Sequence, residues 1–338
     1  PFARFSPSIA DARALPRTME ARESFETVEH EFLPHLGTPH ELLVSWPKDH
    51  LTAADLRALL AYGRRLAAVP GVATVTTPAD AFPGDPERAV TALLGTDEAS
   101  AALRGLFLHG GTARLAALSR FDVDDERSLE QVELLRRVTP PAGTTVLVGG
   151  QSAWVVDVRE ALVRYTPRMV LFIAIAMLVV LFGLFGSVVL PIKAVAMNLL
   201  SLTASFGAIV WIFQDGRFTG LLHYEPLGTT ESTVPVLMFA IVFGLSMDYE
   251  VLLLSRIREE YLATGDNARA VSRGLARTGL LITSGALLLV TVVLCFATSR
   301  LVLIKTLAVG IAFAVLLDAT IVRSLLVPAT MRLLGRYN

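Results

Sequence analysis

The sequence predicts an α-helical bundle of five membrane spans preceded by a water-facing mixed α/β domain, and three observations carry that prediction. The chain has 338 residues, 53% hydrophobic and only 18% charged, against about one quarter charged in ordinary soluble domains; its mean hydropathy is +0.56. The balance of 30 basic against 31 acidic residues hides an asymmetry: residues 1–165 carry 22 acids and 17 bases, residues 166–338 only 9 acids and 13 bases. The uncharged runs are long, 24 residues from Met169 to Ile192 and 21 from Ala194 to Gln214, where roughly 20 suffice to cross about 30 Å of hydrocarbon. A neutral total without a Lys- or Arg-rich tract excludes nucleic acid as the main partner. The single cysteine, Cys295, excludes an internal disulfide and a cysteine zinc cage.

The first domain, residues 1–165, reads as alternating strands and helices. Glu41 to Trp46 is a short apolar run, Thr52 to Ala67 an amphipathic helix with Thr52 as N-cap, and Val72 to Thr77 an alternating β-branched run after Pro70-Gly71. A helix over about Glu87 to Phe107 follows, then a strand near Thr112 to Phe121, a helix at Glu126 to Val138, a strand at Thr144 to Val148, and a helix from Gln151 to Tyr165 after Gly149-Gly150. The order βαβ, α, βαβ suits a small ferredoxin-like sandwich.

The second domain, residues 166–338, holds spans at about 168–186, 190–213, 232–255, 278–299 and 303–327. Gly183, Gly186, Ser187 and Pro191 mark a tight hairpin between the first two. Short loops that keep Lys and Arg are cytoplasmic. One side carries Lys193, Arg256, Arg258, Arg269, Arg273, Arg277, Arg323, Arg332 and Arg336; the other carries only Arg217, Arg300 and Lys305. The loop 256–277 and the C-terminus are therefore expected in the cytoplasm, and residues 1–165 outside it. Export of that domain by its own chain requires a crossing before Pro1, so the chain reads as a fragment or processed piece.

The third span carries the chemistry. Sixteen uncharged residues, Ser232 to Met247, make only about 24 Å of helix, so the helix is expected to continue through Asp248, Tyr249 and Glu250. Asp248 then lies about 12 Å inside the Arg256 end, where an ionised acid costs several kcal/mol unless it pairs, is protonated or faces a bundle interior. Asp318 sits about 7–8 Å inside Arg323, as a relay acid or as the partner of that arginine. Gly244, four residues before Asp248, is expected to let a neighbouring helix approach, and Glu250 to pair at the interface with Arg256 or Arg258. A desolvated acid whose surroundings change can take up and release a proton near neutral pH; the Tyr249 phenol beside it can orient the carboxylate or relay through water. Asp248 is expected to be sequestered from water by neighbouring helices.

Phe243-Gly244-Leu245-Ser246-Met247-Asp248-Tyr249-Glu250-Val251, followed by Ser255-Arg256-Ile257-Arg258-Glu259-Glu260, resembles the signature of the MmpL transporters of the resistance-nodulation-division superfamily. Gly186 to Leu202, Thr278 to Ala286 and Asp318 to Ala329 support it, and Val146 to Asp157 resembles the exit from that family's porter domain. The resemblance is strong over residues 144–334 and weak over the first 140. It implies the second half of a two-half protein, lacking its leading helix, with residues 1–165 as a periplasmic porter domain. It also implies a proton relay at Asp248 and Tyr249, with Asp318, Gly244 and Ser246 in support. A matching Asp-Tyr pair would come from an absent first half or from a second chain, a homo-oligomer included. The usual aromatic four residues after the Asp is Leu252 here. The implied activity is export of lipids or other hydrophobic metabolites across the cytoplasmic membrane, driven by protons as the coupling ion and without a cofactor or metal; one charge moving through 100 mV supplies about 2.3 kcal/mol.

Two other classes fit less of the sequence. Presenilin-type intramembrane proteases also use two membrane aspartates, but they need Tyr-Asp and Gly-x-Gly-Asp, where this chain has Asp248-Tyr249 and Leu317-Asp318. A non-transporting lipid- or sterol-binding or assembly module could use the same bundle. No Walker A motif is present to bind ATP. His30, His35 and His40 recur every five residues, which does not place them on one helical face, and they read as surface residues rather than metal ligands. Gly110-Gly111 and Gly149-Gly150 read as turns, Trp46 and Trp154 as core or cleft residues, and Cys295 as inert.

Overall fold

The computed structural model describes residues 4–8, 12–32 and 38–334; Pro1, His35 and Arg336 lie outside them. It forms two compact units, one of Glu23–Ala161 and one joining Pro1–Arg22 to Leu162–Asn338. In chain order the elements are β1 (Pro7–Ser8), α1 (Glu20–Glu31), β2 (His40–Ser45), α2 (Ala53–Ala67), β3 (Val72–Thr76), α3 (Pro86–Leu94), α4 (Glu98–Phe107), β4 (Leu108–His109), β5 (Thr112–Ser119), α5 (Glu126–Arg137) and β6 (Thr145–Gly149). The helices α6 (Gln151–Phe185), α7 (Val189–Ile209), α8 (Thr219–Leu222), the strand β7 (Thr230–Glu231), and α9 (Thr233–Thr264), α10 (Asn267–Phe296), α11 (Val302–Leu317) and α12 (Val327–Leu334) complete it.

In the Glu23–Ala161 unit the strands stand in the order β3-β5-β2-β6, all neighbours antiparallel, with β4 pairing β5. Alternation along β2 sends Leu42 and Val44 to the core, opposite Leu115 and Ala113 of β5. Apolar positions of α2 at helical spacing, Leu59, Tyr62 and Leu66, close over them. Thr52 caps α2 in a capping box with Asp55, leaving two otherwise orphaned N–H groups satisfied. The single helix expected over Glu87 to Phe107 is two, because Gly95 ends α3 and Asp97 opens α4.

His40 corrects the expectation of three surface histidines. It is 1% exposed, and its Nε2 lies 2.9 Å from Gln131 Oε1, while Gln131 Nε2 donates to Pro70 O. Since the amide oxygen only accepts, Nε2 carries the imidazole proton and the buried Nδ1 stays unprotonated without a partner. Burial is the main cause that lowers the His40 pKa below its usual 6.5, opposed by the Gln131 bond.

Among the described residues five helices are long and apolar enough to cross a membrane, Gln151–Phe185, Val189–Gln214, Thr233–Thr264, Asn267–Phe296 and Val302–Leu333, and all of them lie in the other unit except the Gln151–Ala161 start of the first. Three differences from expectation matter. The N-terminal segment groups with the bundle, since β1 pairs in parallel with β7 and Arg22 pairs with Glu225. The loop expected over 256–277 is almost all helix: α9 and α10 run on as charged helices and meet at Gly265, at φ +68°, and Asp266, which caps α10 through the Ala268 and Arg269 N–H groups. The first span is the end of a longer helix, α6, with Pro167 inside it. Close packing at the centre uses small residues; a Cβ on Gly310 of α11 would overlap Ile209 of α7 and Met238 of α9.

A pH dependence follows from His40. Its pKa is lower folded than unfolded, so its contribution to stability is complete above about 6.5 and is lost as the unfolded chain takes up a proton that the folded chain refuses. Hydrogen exchange of the β2 and β5 amides is expected to accelerate as pH falls below about 6.5, after correction for intrinsic rates, and His40→Gln is expected to flatten that part of the profile. An identical slope in the variant contradicts the assignment.

Candidate functional site in the membrane bundle

The helix α9 runs unbroken from Thr233 to Thr264, so Asp248, Tyr249 and Glu250 lie within a continuous span. Its apolar buried positions, Met238, Val242, Leu253 and Ile257, share one side with Ser246 and Glu250. Gly244 and Asp248, one turn apart, lie on an exposed side with Leu237 and Ile241. Tyr249 is half-buried between the two.

The buried side meets a polar network. Ser246 Oγ lies 2.6 Å from Asn198 Oδ1 of α7 and 3.1 Å from Asp318 Oδ1. Arg323 donates from Nε and Nη2 to Asp318 Oδ2, at 2.8 and 2.7 Å, and from Nη2 to the Ser246 carbonyl and hydroxyl. Its guanidinium carbon lies 5.2 Å from the Tyr249 ring centroid, a cation–π contact. The Tyr249 hydroxyl approaches α10 where Gly285 has no side chain; a Cβ there would stand 3.0 Å from that oxygen.

Local helix geometry makes this pairing. Five residues apart on an α-helix are about 140° apart around the axis, so Asp318 and Arg323 would face different neighbours. The segment Asp318–Leu326 is instead a π-helix, whose wider turn brings i and i+5 to the same side. Both side chains are then buried, at 5% and 3% exposure for the residues. The same interior holds Lys193 of α7 and Glu250 of α9, each buried. Lys193 Nζ, Glu250 Oε1, Asn198 Nδ2 and Arg323 Nη1 have no hydrogen-bond partner among the described residues. Two acids and two bases thus share this interior.

Several expectations are corrected here. Asp248 is not sequestered by helices of its own chain; it is exposed on the protein surface, because the Ser246 and Glu250 side of α9 takes the packing. Gly244 meets no neighbour within 4 Å of a Cβ position, so it seats no helix of this chain. Glu250 does not join Arg256 and Arg258, since it faces inward. Arg256 pairs with Glu259 and Arg258 donates to the Leu184 carbonyl. The charge cluster at that end is instead Glu260 of α9, buried and paired with Arg273 and Arg277 of α10. Lys193 and Arg323, counted among loop cations, are interior residues; the helix α7 starts at Val189, which puts Lys193 within its second turn. Asp318 faces Ser246 and is locked to Arg323 while Asp248 leaves α9 on its exposed side, an arrangement unlike the facing aspartates of an intramembrane protease.

Sequence reasoning missed Asn198, Gly285 and the inward roles of Lys193 and Arg323. A polar Asn within an uncharged run was a usable signal, since such residues face bundle interiors. Gly285 had none, because its role rests on where α10 passes Tyr249.

A family model described as the MMPL family matches residues 15–338, nearly the whole chain. The chain belongs to the MMPL family. Relatives of this MMPL chain include the putative membrane protein SCO6666 of Streptomyces coelicolor, 37% identical over 337 residues, which covers all of the chain and 42% of the relative. The trehalose monomycolate exporter MmpL3 of Mycobacterium tuberculosis is 46% identical over 203 residues, 60% of the chain and 21% of the relative. A heme uptake protein, MmpL11, of the same species is 37% identical over 230 residues, 68% of the chain and 24% of the relative. The chain thus spans less than half the length of these relatives. Family membership and five apolar helices make it a multi-pass membrane protein.

The buried ion pair yields a stability prediction. Removing one member leaves an uncompensated charge at a cost of about 3–5 kcal/mol. Arg323→Ala and Asp318→Ala are each expected to lower the thermal midpoint in detergent strongly, and the double variant to lose less than the sum of the two. Additive losses contradict direct coupling of the pair.

Proposed function

We propose that this chain is one half of a proton-driven transporter of lipids or other hydrophobic molecules in the cytoplasmic membrane. In this reading Asp248 and Tyr249 supply its half of the proton relay, and the Glu23–Ala161 unit is an extracytoplasmic porter domain. One observation carries the proposal. Asp248 stands within a long apolar span on a side that the described residues leave uncovered, while the buried acid Asp318 is paired with Arg323 and Glu250 is buried on the opposite side of the helix. An ionised carboxylate facing lipid costs several kcal/mol, so Asp248 needs either a proton or a covering partner, and exchange between those states is what a proton carrier requires.

The partner is the other half of a longer protein or a second chain with a matching Asp-Tyr pair. Gly244, exposed one turn from Asp248, leaves room for a helix to approach. Tyr249, held under Arg323 and against Gly285, is positioned by the fixed side of α9 next to Asp248. Protonation of Asp248 breaks its pairing with the partner and lets the two helix bundles shift; an inward proton supplies about 2.3 kcal/mol per 100 mV. The strand order β3-β5-β2-β6 with its two βαβ crossovers supports a ferredoxin-like porter. The names of the relatives, one an exporter of a glycolipid and one a heme uptake protein, support a hydrophobic or amphiphilic cargo.

The test is transport by the full-length protein in proteoliposomes with an imposed proton gradient. Asp248→Asn and Tyr249→Phe are expected to insert normally and to reduce gradient-driven cargo movement to background. Retained transport in Asp248→Asn removes the relay assignment. Unaltered cargo binding without any movement in the wild type favours a binding module.

A further inference from the structure

We propose that Glu250 is a second proton-exchanging acid of transport, reached through water held in the buried polar layer between α7, α9 and the Asp318–Leu326 segment. This rests on the proton-driven reading and adds to it a residue on the side of α9 opposite Asp248. The layer is assembled around Ser246, whose hydroxyl lies 2.6 Å from Asn198 Oδ1 and 3.2 Å from Arg323 Nη2. Each of those two groups keeps a buried nitrogen, Asn198 Nδ2 and Arg323 Nη1, without a partner among the described residues. Glu250 follows Ser246 by one turn on the same buried side of α9.

Contacts along α7 and α9 bring Lys193 to the level of Glu250. A Cβ on Gly310 would meet both Ile209 and Met238, Asn198 meets Ser246, and Leu190 shares an apolar cluster with Leu253 and Leu254. The two helices are therefore antiparallel in one constant register, in which Lys193 stands within about 5 Å, one turn, of Glu250 along the axis. Lys193 and Glu250 are 6% and 5% exposed, and Lys193 Nζ and Glu250 Oε1 have no hydrogen-bond partner among the described residues. Apolar side chains close the layer along the axis: Leu190, Leu253 and Leu254 toward the Gly265–Asp266 turn, and Leu202, Val242 and Phe243 away from it.

Three nitrogens that donate and one oxygen that accepts, gathered in one enclosed layer, are what water satisfies, since a buried water makes about three hydrogen bonds to polar groups that otherwise lack them. Transfer of a proton from Lys193 Nζ through such a water to Glu250 Oε1 breaks one N–H bond and forms one O–H bond. It leaves a carboxylic acid and a neutral amine, and the reverse transfer restores both charges. The layer keeps the same total charge in either state, which is what a medium without counterions demands. The other charges of the layer, Asp318 and Arg323, are locked to each other. The buried positions of α10 carry no titratable side chain, those of α11 only Lys305, in its first turn, and Asp248 leaves α9 on the opposite side.

The test is infrared difference spectroscopy of the purified full-length protein on pH steps in light and heavy water, beside transport in proteoliposomes. The wild type is expected to show a protonated-carboxyl band that shifts in heavy water, and Glu250→Gln to lose that band and gradient-driven transport together. Glu250→Asp is expected to keep a displaced band and part of the transport, which covers the case in which the Gln variant does not fold. Lys193→Arg keeps the positive charge but cannot release a proton, and it is expected to lose transport, whereas a purely structural cation would be replaced. A band unchanged in Glu250→Gln, a band that ignores heavy water, or full transport by Glu250→Gln or Lys193→Arg overturns the proposal. Asp248→Asn is expected to keep the Glu250 band. That band with undiminished transport in Asp248→Asn removes the relay assignment at Asp248 alone; transport lost in Asp248→Asn with no Glu250 band in the wild type overturns the present inference alone.

Discussion

Charge neutrality in a medium without water governs this bundle. Hydrocarbon offers neither counterion nor hydrogen bond, so an ionised side chain drawn into the helices is stable only if its opposite is drawn in with it. Asp318 and Arg323 meet that requirement by direct contact across a π-helical turn, and Glu250 and Lys193 bring one group of each sign into the same interior. Because the members come from α7, α9 and the segment after α11, satisfying the charges also sets how these helices stand against one another. Ser246 is the common point, tied to Asn198, Asp318 and Arg323 at once.

That constraint divides α9 lengthwise. One side is committed to the interior and held by bonds that cannot be exchanged for water. The other carries Gly244 and Asp248 and is left exposed by the described residues. Tyr249 lies at the border, its ring against a buried cation and its hydroxyl against Gly285. In the proposed relay, a rigid side beside an uncovered one would let Asp248 change its protonation without dragging its own helix out of register. At the end of the bundle opposite the Gly265–Asp266 turn, Lys305 is held by carbonyl groups and Arg22 by carbonyls and a shared carboxylate.

The Glu23–Ala161 unit is built by water instead. Its strands alternate because one face is solvated, its helices are capped by Thr52, Asp85 and Asp125 because their ends meet solvent, and its buried imidazole, His40, is accommodated as a neutral group on Gln131. Uncharged runs cannot show where such a unit begins and ends, which is why residues before Arg22 read as part of it while β1 in fact pairs with β7.

The sequence by itself determined the five spans, because 20 apolar residues have few other stable fates, and it determined that α9 continues through Asp248, since apolar residues resume at Val251. It also located the α2 cap, because Thr52 stands just before an amphipathic run, while the capping box with Asp55 came from the structure. Which acid is buried was decided only by tertiary structure. On a helix with few charges, Asp248 and Glu250 differ in sequence by two places, but they point about 160° apart, and only the position of Asn198, Asp318 and Arg323 selects the inward one. The partnership of Asp318 with Arg323 likewise depends on a π turn that packing imposes and hydropathy does not encode.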